Sequence, residues 1–344
     1  MYDYFMNLHE KIQNLTLRQK ISQLFITGFE GENPNKNKFF TELLENGLGG
    51  VIFFTQNIKN QEQFKQIITS IKDNAFIPPF LSIDQEGGRV ERTENIHNGK
   101  KYLSAKYAAE KGIEFATNQT DSMTKELCKY GINMNFAPVL DVNTNENNPI
   151  IGERAYSNNP DKVIEFGIPI IKKHIENNII PVGKHFPGHG DASLDSHLSL
   201  PCIDLSLKEL ENNHIKPFKA AIEENLPAIM VAHVHYPCFE NEKIPSSMSK
   251  KIIQDYLINT LNYDGLIISD DMVMGAVQGF TSAQACIMAL KAGINMFIFR
   301  NTDLNVMNLI DEIEKAVLTG ILEEKTIENS LNKIIKTKKI FGII

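Results

Sequence analysis

Residues 183–191, with the sequence GKHFPGHGD, carry several protonatable groups, and Asp195 and His197 follow them closely. In an extended segment, side chains two residues apart point to the same face, so the Asp195 carboxylate and the His197 imidazole can lie side by side. A neighbouring carboxylate fixes the tautomer of an imidazole and raises its basicity. The pair therefore predicts an acid/base group. The alternative is a surface hydrogen bond without chemistry.

Other charged residues stand where apolar runs of the sequence end. Asp84 follows one run, Lys184 and His185 end a second, and Asp270 and Asp271 end a third. If these runs are parallel strands of a barrel, their C-terminal ends meet at one mouth, where active sites lie. A shared polar cleft explains such charges better than separate burial, which is costly. For any one acid taken alone, a helix N-cap is the alternative.

The segment after the first of these runs is rich in charge, with the sequence DQEGGRVER at residues 84–92. Asp84 could accept hydrogen bonds from sugar hydroxyls. Arg92 could bind a carboxylate or pair with an acid of the same segment. For Glu86 and Arg89 we favour a structural salt-bridge network.

The candidate binding residues include three cations, Arg92, Arg154 and Lys184, in a protein of net charge -7. Arg154 belongs to a long connection of the kind that often carries binding residues at a barrel mouth. Cations gathered in an acidic protein indicate an anionic or hydroxyl-rich ligand. The alternative is that Asp84 and Glu153 balance them and that they only hold loops together.

Two other chemistries are disfavoured by the sequence. His185 and His189 have the i, i+4 spacing of a helical metal pair, but Pro187, Gly188 and Gly190 make a helix there improbable. No H-E-x-x-H motif and no G-x-S-x-G nucleophile elbow are present. We therefore expect neither a metal site nor a serine hydrolase.

The elements that would position these residues alternate between short apolar runs and longer segments with helical spacing. Continuous apolar strands alternating with helices indicate a parallel sheet covered on both faces. A count of eight such runs is what a (β/α)8 TIM-type barrel requires, and we expect residues 1–344 to form one such α/β domain. Capping boxes begin helices at Thr16 and Ser206, and two helices are predicted between about Asp303 and Lys339. The eight runs are residues 24–27, 50–54, 80–83, 134–137, 179–182, 228–231, 266–268 and 294–298.

Composition sets the broad class of the protein. Hydrophobic residues make up 42% of the 344 residues, enough for a large core. The acidic balance argues against partners such as nucleic acid or an anionic membrane. The four cysteines form no C-x-x-C pair and are typical of a reduced, cytosolic protein. No signal peptide or membrane-spanning run is visible, so a cytoplasmic location is expected.

Several of these motifs together resemble glycoside hydrolase family 3, and more narrowly its β-N-acetylhexosaminidase branch. The resemblance runs from about Thr16 to the C-terminus, with the motifs in family order. The Asp-Ser-His element separates this branch from family 3 β-glucosidases, which generally take the acid/base from another domain. The motifs are IDQEGGRV at 83–90, NFAPVLD at 135–141, KHFPGHG at 184–190, DSH at 195–197 and SDDM at 269–272.

The resemblance implies a role for each motif residue. Asp270 would be the nucleophile and His197, oriented by Asp195, the general acid/base. The short form without a signal peptide resembles the cytoplasmic enzymes that recycle peptidoglycan in Gram-negative bacteria. Their substrates carry N-acetylglucosamine β-1,4-linked to 1,6-anhydro-N-acetylmuramic acid, with or without a stem peptide. The residues implied to hold the N-acetylglucosamine ring are Asp84, Arg92, Arg154, Lys184 and His185.

The implied reaction is a retaining double displacement through a glycosyl-enzyme ester on Asp270, with neither metal nor organic cofactor. A phosphorylase on the same scaffold is the closest alternative, because a neutral His197 repels phosphate less than a carboxylate would. A lyase with a Schiff base on Lys184 and a non-catalytic sugar-binding protein are further alternatives. The leaving-group preference and the oligomeric state stay open.

Overall fold

The computed structural model describes residues 2–97, 101–192, 200–273 and 279–344. Eight parallel strands close into a barrel in chain order, and the last strand pairs with the first. Every strand overlaps one of the eight predicted runs, so the predicted (β/α)8 barrel is confirmed; the extent of the domain over residues 1–344 stays a prediction. The strands are β1 (Phe25–Thr27), β2 (Gly50–Phe53), β3 (Phe80–Ile83), β4 (Met134–Asn135), β5 (Ile180–Phe186), β6 (Ala228–Val231), β7 (Leu266–Asp271) and β8 (Met296–Phe299).

Helices surround the barrel and connect its strands. Two wider, π-helical segments, Glu211–Ile215 and Lys251–Thr260, add to the regular α-helices. No helix in the described part of the chain is long and apolar enough to cross a lipid bilayer. The α-helices are α1 (Tyr2–Gln13), α2 (Leu17–Ser22), α3 (Lys38–Glu45), α4 (Gln61–Asn74), α5 (Ala105–Glu110), α6 (Ile113–Tyr130), α7 (Pro160–Glu176), α8 (Leu207–Leu210), α9 (Lys216–Glu223), α10 (Ser282–Ala292), α11 (Leu304–Leu318) and α12 (Glu324–Ile340).

The barrel strands are buried on both faces, which is why they are continuous apolar runs rather than alternating ones. All residues of β2, β3, β6 and β8 are buried. Their side chains fill the barrel interior on one face and pack against the helices on the other. Each fully buried large aliphatic or aromatic side chain contributes about 1.5–3 kcal/mol relative to exposure.

Local signals in the sequence begin several helices where they were predicted. The Thr16 side chain accepts from the backbone N–H of Gln19, and the Gln19 side chain accepts from the Thr16 N–H, which completes a capping box. Ser206 and Glu209 form the same arrangement. The two helices predicted near the C-terminus are α11 and α12. These caps satisfy backbone donors that the first helical turn would otherwise leave unpaired.

Candidate active site

The structure brings the strand-end candidates to one mouth of the barrel. Asp84 directly follows β3, Lys184 and His185 lie near the end of β5, and Asp270 lies near the end of β7. Because all eight strands are parallel, these C-terminal ends face the same side. The positions therefore agree with the shared cleft that the sequence pattern predicts.

Lys184 is the most deeply buried cation of this mouth, with 2% of its surface exposed. Its Nζ donates to Asp84 Oδ1 at 2.7 Å and lies 2.6 Å from Glu86 Oε1. A buried charge is tolerated when it is paired and hydrogen-bonded, and these two carboxylates meet both conditions. An ammonium group has three N–H donors. Since the described residues use two of them, one donor of Lys184 remains to bind a ligand.

Arg154 extends from the loop after β4 and forms a two-pronged ion pair with Glu86. Its Nε and Nη2 donate to different Glu86 oxygens, each at 2.8 Å. Burial alone would raise the pKa of Glu86, but Arg154 and Lys184 together outweigh burial and hold that pKa far below its usual range. Glu86 therefore joins two cations, and we call Asp84, Glu86, Arg154 and Lys184 the mouth network.

The predicted structural salt-bridge network is confirmed for Glu86 but is wrong for Arg89. Arg89 instead donates to the carbonyl of Pro149 from Nη1 and Nη2, at 3.3 Å each, and thereby ties the β3 loop to the β4 loop. Arg154, the true partner of Glu86, is 68 positions away in the chain. Glu153 likewise does not balance Arg154 as the structural alternative supposed, whereas Asp84 does balance Lys184. Proximity in the sequence suggested ion pairs between neighbouring residues. The contact between the loops after β3 and β4 instead pairs Glu86 with Arg154.

A buried carboxylate, Asp141, holds His185 in one orientation. Its Oδ2 lies 2.6 Å from His185 Nδ1, and its Oδ1 accepts from the backbone N–H of His189 at 2.6 Å. A carboxylate only accepts, so Nδ1 of His185 carries a proton, and Nε2 lies 3.4 Å from Arg154 Nη2. Burial raises the pKa of Asp141, but its interactions with His185 and His189 outweigh burial and lower it. Sequence reasoning quoted the motif that ends in Asp141 without assigning this role.

His185 and His189 are not a helical pair, as the proline and glycine residues between them predicted. His185 lies in β5 and His189 in the turn that follows, with ring centroids 5.9 Å apart and planes at 70°. Burial, followed by the neighbouring His185, lowers the pKa of His189 to about 4. His189 is therefore neutral near pH 7 and adds no charge to the mouth.

The two adjacent acids at the end of β7 have different environments. Burial alone would raise the pKa of Asp270, but His185, His233, the Asp271 backbone N–H and Lys184 together lower it below its usual value. For Asp271, burial and the neighbouring Asp270 charge raise the pKa to about 6. Asp270 is thus the acid held ionised, as a nucleophile must be.

His233 is a residue of the mouth that sequence reasoning missed. It is fully buried after β6, with Nδ1 2.7 Å from Ser247 Oγ and Nε2 3.2 Å from the backbone carbonyl of Asp271. A carbonyl only accepts, so Nε2 donates, and burial lowers the pKa of the ring. His233 thereby fixes the backbone beside Asp270. The signal was available, because His233 follows an apolar run as Asp84 does.

Arg92 lies apart from the mouth network in the described part of the chain. Its guanidinium carbon is 5.7 Å from the ring centroid of Phe54, and its backbone N–H donates to Gln85 Oε1 at 2.8 Å. No hydrogen bond or ion pair joins its side chain to the four described network residues. The structure therefore joins Asp84, Lys184 and Arg154 through Glu86, whereas the Arg92 side chain packs on Phe54.

The predicted dyad of Asp195 and His197 lies outside the described residues. The described chain before it ends at Ala192, where Asp191 Oδ1 accepts from Thr144 Oγ1 at 2.7 Å. The roles of Asp195 and His197 remain predictions.

The chain is similar in sequence and in fold to several known proteins. A curated Beta-hexosaminidase A from Pseudoalteromonas piscicida is 31% identical over 318 residues, covering 85% of this chain and 53% of that protein. A Beta-hexosaminidase from Idiomarina loihiensis is 32% identical over 268 residues, covering 77% and 80%. The solved family 3 beta-N-acetylglucosaminidase from Paenibacillus sp. superposes with a TM-score of 0.90 at 32% identity, covering 96% of this chain and 63% of that one.

This chain thus spans about half the length of the Pseudoalteromonas relative and under two thirds of the Paenibacillus protein. The pattern of the Glycosyl hydrolase family 3 N terminal domain matches residues 16–337. That match includes the barrel and every residue of the mouth described above, and the chain therefore belongs to glycoside hydrolase family 3.

Proposed function

We propose that the protein is a retaining exo-β-N-acetylglucosaminidase that releases N-acetylglucosamine from muropeptide fragments. The observation that carries the proposal is an ionised Asp270 at the same barrel mouth as the mouth network. Carboxylate, ammonium and guanidinium groups are the donors and acceptors that a ring of sugar hydroxyls requires. The names of the family 3 relatives support the choice of sugar.

In the proposed first step, an Asp270 oxygen attacks the anomeric carbon and forms a glycosyl ester. The bond to the leaving oxygen breaks, and protonated His197 transfers its proton to that oxygen. In the second step, His197 takes a proton from water while the water oxygen attacks the anomeric carbon. The ester bond breaks, Asp270 is regenerated as a carboxylate, and the sugar leaves with its original anomeric configuration.

The mouth network supplies the binding groups of this proposal. Lys184 uses two of its three donors on Asp84 and Glu86, so its remaining donor and the second Asp84 oxygen suit neighbouring sugar hydroxyls. His185 Nε2 lies at the same place, 3.4 Å from Arg154 Nη2, and suits a hydrogen bond with a sugar hydroxyl. Glu86 keeps Lys184 and Arg154 rigid before substrate arrives, which reduces the entropy lost on binding.

The substrate proposed is N-acetylglucosamine β-1,4-linked to 1,6-anhydro-N-acetylmuramic acid, with or without a stem peptide, processed in the cytoplasm. Its supports are the family membership and the motif pattern, and no nucleic acid or membrane partner is part of the proposal. We expect an aryl β-N-acetylglucosaminide to be cleaved about 10³-fold or more faster, in kcat/KM, than the matching β-glucoside. Comparable kcat/KM values on the two would contradict the hexosaminidase assignment and leave the family unchanged.

The decisive experiment is mass spectrometry of the protein after reaction with 5-fluoro-β-N-acetylglucosaminyl fluoride. We expect one covalent sugar on the peptide that contains Asp270, and no adduct in the Asp270→Ala variant. An adduct on Asp271 in place of Asp270 would contradict the proposed nucleophile.

The phosphorylase alternative is tested in the same assay. Hydrolysis predicts free N-acetylglucosamine at the same rate with and without inorganic phosphate. Phosphate-dependent formation of sugar 1-phosphate would replace the hydrolase by a phosphorylase on the same barrel.

A further inference from the structure

A buried histidine outside the mouth network, His97, lies between two acidic side chains. Its Nδ1 lies 2.8 Å from Oε1 of Glu126 on α6, and its Nε2 contacts Oε1 of Glu91 in the loop after β3. The His97 side chain is 1% exposed. A carboxylate only accepts, so a proton of the ring or of a carboxyl group must lie in each contact. Burying ionisable groups is costly unless they are paired and hydrogen-bonded, and His97 is paired on both sides.

Two further side chains lie against His97. Thr93 Oγ1 is 3.4 Å from Nδ1, and the Tyr102 ring meets the imidazole edge-on, with centroids 5.1 Å apart. The Tyr102 hydroxyl also donates to Oε2 of Glu126 at 3.3 Å. Glu126 therefore uses one oxygen for His97 and the other for Tyr102. We call Glu91, His97 and Glu126 the clasp.

The clasp closes the loop that carries Arg92. Glu91 and His97 are six positions apart, and their contact joins the two ends of residues 91–97. Glu91 Oε1 also accepts from Gln85 Nε2 at 3.2 Å, and Gln85 Oε1 accepts from the backbone N–H of Arg92 at 2.8 Å. Gln85 is fully buried. A chain of contacts thus runs from α6 through the clasp and Gln85 to the backbone of Arg92.

The Arg92 side chain depends on this support because its other described contacts leave its orientation open. Its guanidinium carbon is 5.7 Å from the ring centroid of Phe54. A cation–π contact holds a guanidinium near a ring but does not fix the direction of its N–H donors. The Nε of Arg92 is buried and has no hydrogen-bond partner among the described residues. The position of the Arg92 backbone therefore decides where its donors point.

We propose that His97 is a positioning residue of the active site. Through the clasp it fixes the loop backbone so that Arg92 presents its N–H donors to the sugar ring. The inference rests on the proposed function, in which Arg92 is one of the residues that hold the N-acetylglucosamine ring. No member of the clasp touches the sugar. Without the clasp, Arg92 stays on Phe54 but its backbone is less restrained, so more conformational entropy is lost when the sugar binds.

The test replaces Glu126, which belongs to α6 and whose side chain is 20% exposed. Replacing His97 instead would leave two buried acids without their shared partner and destabilise the fold. Glu126→Leu removes the acceptor, whereas Glu126→Gln keeps an oxygen for His97 and offers its amide N–H group to the Tyr102 hydroxyl.

The quantities measured are kcat and KM on 4-nitrophenyl β-N-acetylglucosaminide. We expect kcat/KM to fall about tenfold in Glu126→Leu and less than about twofold in Glu126→Gln, as for residues of one network. The fall should appear mainly as a higher KM with kcat nearly unchanged, because a binding contact is weakened.

Lys125→Leu is the matched control, because it changes the neighbouring, exposed residue of α6, whose described ion-pair partner is Asp121. It should keep the wild-type KM. Thermal denaturation of each variant shows whether it is folded at the assay temperature.

A second comparison asks whether the clasp acts through Arg92. In an Arg92→Gln background, Glu126→Leu should raise KM by less than about twofold, since two changes in one chain of contacts are not additive. A full rise in that background, or an unchanged KM in Glu126→Leu alone, would overturn the positioning role while hydrolysis persists. A wild type that does not cleave the substrate would instead contradict the proposed glycosidase, and the inference with it.

Discussion

Two fully buried lysines stand at opposite ends of the barrel, and their surroundings differ. Lys184, at the C-terminal mouth, lies 2.7 Å from Asp84 and 2.6 Å from Glu86. Lys338, on α12, lies at the other end, near the first residue of β3. Its Nζ donates to the neutral side chain of Gln23 at 2.9 Å and is 5.1 Å from the Phe80 ring centroid.

The difference shows where this fold accepts charge in its interior. At the mouth, each buried cation is matched by carboxylates from a neighbouring loop. At the opposite end, no carboxylate among the described residues pairs with Lys338, and burial lowers the pKa of Lys338 to about 7. The buried charges of the mouth are paired with one another, whereas Lys338 is a charge that the fold tolerates by partly neutralising it.

The largest expected effect is the loss of activity when Asp270 at the mouth is replaced. Asp270→Ala should lower kcat by about 10³-fold or more, because it removes the atom that forms the covalent intermediate. Asp271→Ala should cost far less, because in the proposal Asp271 forms no bond to the sugar. Steady-state rates on an aryl β-N-acetylglucosaminide measure both. An inactive Asp271→Ala beside an active Asp270→Ala would reverse the assignment of the two acids.

The second effect concerns stability at the mouth. Lys184→Met leaves Glu86 and Asp84 without their shared cation and should lower the free energy of unfolding by roughly 3–5 kcal/mol. Chemical denaturation at pH 7 measures the change. A variant as stable as the wild type would mean that Arg154 alone compensates Glu86 and that Lys184 serves only the ligand.

At the other end of the barrel, removal of a buried lysine is expected to raise the free energy of unfolding. Lys338→Met should raise the free energy of unfolding at pH 6 by about 1–2 kcal/mol, because removing an uncompensated buried cation outweighs the lost hydrogen bond to Gln23. Lys336→Met, on the exposed side of the same helix, is the control and should change stability by less than about 0.5 kcal/mol. Destabilisation by Lys338→Met would show that the amine contributes to the core as a neutral donor.

The smallest expected effect is the pH dependence that Lys338 gives to the free energy of unfolding. Folded Lys338 has a pKa of about 7, and an unfolded lysine titrates near pH 10.4. Between these values the unfolded chain binds more protons, so this group makes stability rise with pH by at most about 1.4 kcal/mol per unit. The difference between wild type and Lys338→Met, followed by denaturation from pH 6 to pH 10, isolates the contribution. A constant difference across that range would exclude titration of Lys338.

Local features of the sequence predicted much of this architecture. All eight apolar runs are strands, because a strand buried on both faces must be continuously apolar. The helices after Thr16 and Ser206 begin at capping boxes formed by residues three apart. Motif resemblance supplied Asp270, Lys184 and His185, all of which lie at the mouth.

Other features depended on contacts between distant segments. Glu86 was assigned to a nearby arginine, yet it pairs with Arg154, because the loops after β3 and β4 meet over the mouth. His233 and Lys338 were not singled out, since their importance comes from what surrounds them.

The amino-acid sequence by itself determined the order of strands and helices, the ends of several helices and the presence of charged groups at strand ends. These properties follow from hydrophobic periodicity and hydrogen bonds within a few residues. Only the tertiary structure decided which carboxylate neutralises which cation and which acid of the Asp270–Asp271 pair has the lowered pKa. The reason is that electrostatic energies depend on distance and burial in three dimensions, and the closed barrel brings together groups that lie up to hundreds of positions apart.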